Sequence, residues 1–81
     1  MKVLMVEPGK SPYGTEIEGG LESLQAAVGG DIQAAYPYED PVALICNDEG
    51  KLLGMPLNRA LYDDGGHMYD IVAGNFLIVG L

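Results

Sequence analysis

The chain has 81 residues, with twelve Asp and Glu against four Lys and Arg, for a formal net charge of −8. That length fits one domain over residues 1–81 and excludes a second core. A chain so acidic lacks the basic stripe that nucleic-acid binding requires, and it is repelled by anionic membranes. The apolar fraction of 48% is ordinary for a globular domain.

Met1 to Val6 is apolar and is stopped by Glu7-Pro8-Gly9-Lys10. It reads as a first strand rather than a signal segment, which needs a longer apolar region and a cleavage site. Val3 to Val6 is apolar on both faces, the pattern of a central strand. Turn residues at 8–12 lead into a second strand, Tyr13 to Glu18, with one wet face. Together they form a hairpin over 1–18. Gly19-Gly20 opens a helix over about 20–28. Leu21, Leu24 and Val28 lie at helical spacing, and Gly29-Gly30 stops the helix. At that length the helix needs a sheet to pack against.

Ile32 to Tyr36 alternates as a third strand. Pro37 and Pro41 bracket an ordered loop containing Tyr38-Glu39-Asp40. Val42 to Cys46 is a continuous apolar run, hence another central strand. Asn47-Asp48-Glu49-Gly50 reads as a turn, with Lys51 to Leu53 as the returning strand. Pro56-Leu57-Asn58-Arg59-Ala60-Leu61 reads as a short helix, because proline suits a first helical turn. Asp63-Asp64-Gly65-Gly66 is a polar loop. Ile71 to Gly74 leads into the last strand, Phe76 to Val79, and Gly74 marks a bend or bulge. The predicted order is β-β-α-β-β-β-short helix-β. This is an α+β fold: a single two-layer domain with a mixed or antiparallel sheet of about five or six strands, packed by one amphipathic helix.

Chemistry-bearing residues are sparse. Arg59 is the only arginine, and its guanidinium offers a fork of donors matched to carboxylate or phosphate. With Asn58, and Tyr62 or Tyr69 nearby, it makes a candidate ligand site. The competing reading has Asn58 capping a turn and Arg59 pairing with a native acid. His67 is the single histidine; Asp63, Asp64 and Asp70 are near it in sequence, but no serine or cysteine is. Cys46, the only cysteine, has no intrachain disulfide partner and no local cation to make it a thiolate. Its lack of company favours a reducing, cytoplasmic setting. The acids at 63, 64 and 70 lack EF-hand spacing, one Cys and one His do not make a zinc site, and no glycine pattern forms a nucleotide loop. No catalytic residue, metal or cofactor is therefore assigned. Tyr36 and Tyr38, with Glu39 and Asp40, form a candidate interaction patch. The competing reading makes the tyrosines partly buried loop anchors.

Several segments together carry a family resemblance. They are Val6-Glu7-Pro8-Gly9-Lys10, Leu21-Glu22-Ser23-Leu24-Gln25, Tyr36-Pro37, Asp40 to Asn47, Gly50-Lys51, Pro56 to Leu61 and Asp70 to Gly74. The chain resembles the small bacterial and phage proteins grouped as domain of unknown function 3846. The resemblance covers nearly the whole chain and is most specific at Pro-Leu-Asn-Arg-Ala-Leu. It implies a whole-chain single domain and a setting that includes mobile elements of Gram-positive gut bacteria. It also implies an accessory role in conjugation or defence evasion. It supplies no activity and no catalytic residues.

The leading expectation is a non-enzymatic binding or accessory protein, monomer or homodimer, whose acidic surface meets a basic protein partner. A DNA-mimic, anti-restriction role falls within that class. The alternative is a small-ligand or nucleotide-binding module centred on Asn58 and Arg59.

Overall fold

The structure, a computed structural model, describes residues 1–81. It is an α+β domain of mostly antiparallel sheet with one helix. In chain order the elements are β1 (Lys2–Val6), β2 (Tyr13–Glu16), α1 (Leu21–Val28), β3 (Ile32–Ala35), β4 (Val42–Asn47), β5 (Leu57–Tyr62), β6 (Met68–Ala73) and β7 (Phe76–Gly80). Five strands form one antiparallel sheet in the order β2-β1-β7-β4-β3, and β5 and β6 form a separate two-stranded sheet.

The chain's last strand is the middle of the larger sheet. β7 pairs with β1 through Val3↔Val79 and Val6↔Phe76, and with β4 through Ala43↔Val79 and Cys46↔Phe76. Its run of apolar residues suits that position, because both faces are covered. Leu77 is completely buried and Phe76 nearly so. Since strand side chains alternate in direction, the three central strands build two apolar clusters. Val3, Ala43, Ile45, Leu77 and Val79 face the helix, with Leu24 and Ala27 packed against them. Val6, Leu44 and Phe76 face the other way and meet Leu61 and Val72 of the β5–β6 hairpin.

Helix α1 has no side-chain cap at Gly20. The Ser23 hydroxyl accepts from the Gly19 N–H and donates to the Gly20 carbonyl, both at 3.0 Å. Gly29 ends the helix in the left-handed conformation (φ 81°), and its N–H donates to Gln25 O at 2.8 Å. Of the predicted stripe, Val28 is buried and Leu24 half-buried, but Leu21 is exposed.

The structure corrects the reading of the second half of the chain. Residues 56–61 do not form a short helix: Leu57–Tyr62 is strand β5. So short a helix has little local stability. Met68–Ala73, read only in part as a lead-in, gives the segment a six-residue antiparallel partner across the 63–67 turn. Lys51–Leu53 is not a strand. The chain coils there, with Leu53 N–H donating to Glu49 O at 2.9 Å and Met55 N–H to Gly50 O at 3.0 Å. The hairpin adds a cover on the face opposite the helix, where two layers were expected.

Gly74 is the bend. It has φ 80°, and a Cβ there would stand 2.7 Å from Met55 Sδ. Only two residues separate β6 from β7, which lie in different sheets. The chain must reverse sharply there, and glycine does so without steric cost.

Leu77→Ala is expected to lower unfolding stability by about 2–5 kcal/mol. Leu21→Ala should change it by less than about 0.5 kcal/mol. Urea denaturation of the two variants checks the assignment of the core.

Candidate functional site

Three places in this fold concentrate polar chemistry. The first is Asn58-Arg59 near the start of β5. The Asn58 amide donates to Val6 O and to Gly74 O, each at 2.8 Å. One side chain thus ties β5 to the end of β1 and to the β6–β7 bend. Its Oδ1 accepts from Arg59 Nη1 at 2.9 Å, and Arg59 Nη2 donates to Lys10 O at 2.7 Å. Both terminal guanidinium nitrogens are therefore engaged within the chain, and neither meets a carboxylate. This geometry supports a brace between the hairpin and the 7–12 loop rather than a grip on a ligand. Tyr62, at the far end of β5, is exposed and shares no hydrogen bond with Asn58 or Arg59. Tyr69 is exposed on β6.

The second place is an acidic end of the larger sheet. Register puts Lys2 opposite Glu16, Val3 opposite Val79, Val42 opposite Gly80 and Ala35 opposite Leu44. Glu16 and Glu18 therefore emerge at the same end as the 36–41 loop, and the loop is tied to the C-terminus by Leu81 N–H to Pro41 O at 2.9 Å. Glu22 lies in the first turn of the helix, beside the same end. Tyr36, Tyr38, Glu39 and Asp40 are all exposed in that loop. Five strands at sheet spacing make the end roughly 19 Å wide.

The third place is a cavity of about 340 Å³ between β6, the 48–54 segment and the β3–β4 side of the sheet. Ala35, Leu44, Cys46, Leu61 and Val72 supply apolar lining, and Asp48, Glu49, Lys51 and Asp70 supply charge. Lys51 Nζ pairs with Asp70 Oδ1. The Lys51 bond, with one from the Ile71 N–H, holds the Asp70 carboxyl below its ordinary range. Burial pushes the Cys46 thiol up, and the charges of Asp70 and Asp48 push it further. A thiol held protonated in this way is a poor nucleophile.

His67 is exposed, with Nδ1 3.5 Å from Asp63 Oδ1. That oxygen accepts from the Gly65 and His67 N–H groups, each at 2.9 Å. Asp63 thus closes the β5–β6 turn, a role its sequence position alone did not reveal. Glu7 similarly accepts from the Tyr13 hydroxyl at 2.5 Å, which lowers the carboxyl's pKa and raises the phenol's.

The family model described as domain of unknown function DUF3846 matches residues 1–81. The chain belongs to that family. No curated protein and no solved structure matches it. In this DUF3846 chain the Pro-Leu-Asn-Arg-Ala-Leu segment holds the Asn58–Arg59 brace, which joins three parts of the fold.

Asn58→Ala strips donors from two backbone carbonyls and should cost about 1–3 kcal/mol in urea unfolding. Arg59→Lys should not restore the stability lost in Arg59→Ala, because one ammonium does not span the acceptors of the planar fork. A second expectation concerns pH. A carboxyl whose folded pKa lies below its unfolded one stabilises the fold above the unfolded pKa, and loses that contribution as pH falls through the folded value. NMR titration should place the Asp70 midpoint on the acid side of the ordinary carboxylate range, and Lys51→Met should return it toward that range.

Proposed function

We propose that this protein is a non-enzymatic cytoplasmic accessory factor, from a mobile element or phage, that binds a basic protein partner through the acidic end of its sheet. The observation that supports this reading is the state of the acids. Of the twelve, only Glu7 and Asp70 stand within ion-pair distance of a lysine and Asp63 lies beside the His67 ring, and the other nine are exposed. Five of those nine, Glu16, Glu18, Glu22, Glu39 and Asp40, gather at one end. Tyr36 and Tyr38 stand beside them, as aromatic residues often do in interfaces. Clustered negative charge accelerates encounter with a basic surface and selects against acidic ones. No helix is long and apolar enough to cross a membrane.

A narrower form of the proposal is imitation of a nucleic-acid backbone toward a DNA-cleaving defence enzyme. The width of the acidic end suits that role, and its five carboxylates outnumber the two positive groups there, Lys2 opposite Glu16 and the Met1 ammonium that donates to Ile17 O at 2.8 Å.

Affinity capture from host lysate with mass spectrometry tests the proposal, using the parent and the double variant Glu39→Lys/Asp40→Lys. The parent should retain a basic protein at low salt and release it as salt is raised. The variant should retain several-fold less while unfolding at the same urea concentration. If the parent enriches no protein at low salt, or the variant retains as much as the parent, the reading is wrong. Protection of DNA from cleavage by the captured protein tests the narrower form.

A further inference from the structure

The cavity beside β6 lies apart from the acidic end and calls for its own account. Its walls are fixed by contacts that owe nothing to a ligand. Asn47 is buried; its amide donates to Val28 O at 3.2 Å, and its Oδ1 accepts from the Glu49 N–H at 2.8 Å. Gly50 sits so close to β6 that a Cβ would lie 2.7 Å from Ala73 O. The segment between is coiled by its own hydrogen bonds. A preformed concave space with an apolar lining and a few charged groups is the common form of a small-molecule site, and about 340 Å³ lies within the range of such sites. Leu52, at the cavity's edge, leaves 86% of its surface in water.

The charge at the mouth selects the ligand. Asp48, Glu49 and Asp70 face one cation, Lys51. The Lys51–Asp70 pair is itself open to water, with side chains 57% and 48% exposed. Exposed pairs of this kind hold little free energy, so Lys51 exchanges readily for another cation. An anionic ligand has only Lys51 to meet and must approach three carboxylates. Burial first, and then the charges of Asp70 and Asp48, push the Cys46 thiol up, with Lys51 acting the other way.

We propose that this cavity binds a small organic cation with an apolar body: the body lies on Ala35, Leu44, Cys46 and Val72, and the ammonium group takes Asp70, with Glu49 and Asp48 at the rim. This goes beyond the partner-binding reading and stands or falls separately from it.

The sole cysteine makes the test direct. Phenethylamine, cyclohexylamine and hexylamine are titrated into the full-length ¹⁵N-labelled chain, with phenylacetate as the matched anion. At least one amine should shift the amides of Cys46 to Leu52 and of Asp70 to Ala73, and should slow alkylation of Cys46 by iodoacetamide. Phenylacetate should do neither. Asp70→Asn should weaken amine binding about fivefold. Because that change also frees Lys51, Glu49→Gln serves as a second variant, in which only a rim charge is lost, and it should weaken binding in the same direction. The proposal is overturned if none of the three amines shifts the cavity amides, if phenylacetate binds as well as the amines, or if both variants bind as tightly as the parent.

Discussion

The central position of β7 sets the terms for everything else in this fold. A strand buried on both faces needs two covers, and the chain has only one short helix to offer. The second cover is therefore built from β5 and β6, which place Leu61 and Val72 against Val6, Leu44 and Phe76. That solution creates two needs of its own. The chain must pass from the hairpin layer into the sheet within two residues, which the left-handed backbone at Gly74 permits. The hairpin must also be fixed in place, and Asn58 does this by donating to carbonyls on both sides of the layer boundary. The lone arginine extends that attachment to the 7–12 loop.

These relations explain which parts of the fold were legible in the sequence. β1, β4 and β7 announce themselves as apolar runs, because a central strand is apolar on both faces whatever surrounds it. The helix is legible from its spacing and its glycine stop. Segment 56–61 was misread because proline at a first position and a mixed apolar pattern are equally compatible with a helix turn and an edge strand. The deciding factor is residues 68–73, whose pairing is a tertiary fact. Leu52 and Leu53 were misread for a related reason. Two leucines after a turn suggest a returning strand, yet both are exposed on a coiled segment.

The polar residues divide along the same line. Residue type singled out Arg59 correctly as unusual, but not its role: its partners are two backbone carbonyls and its own neighbour's amide oxygen, none of which leaves a mark in sequence. The loop at Tyr38 to Asp40 is legible because Pro37 and Pro41 bracket it, but the exposure of Tyr36 and Tyr38 is not, since the same residues suit partly buried anchors equally well. The company of Glu16, Glu18 and Glu22 at the same end follows only from strand order. The cavity was not legible at all, since its lining comes from β3, β4, β5, β6 and the coiled segment together.

The distribution of charge then follows from how the fold is held. Its adhesion comes from two apolar clusters and a backbone ladder, while its ion pairs are few and exposed. Exposed pairs contribute little, and a net charge of −8 on so small a body opposes compaction. Most of the acids are thus not stabilising the domain by pairing; Glu7, Asp31, Asp63 and Asp70 are the ones with a local hydrogen-bonding task. The remaining carboxylates stand at sheet ends, in loops and at the cavity mouth, where they set an electrostatic field without being needed for the core. The negative charge of this domain thus lies outside its core, and the hairpin that completes the core also leaves, on the β3–β4 side, a partly apolar recess among those carboxylates.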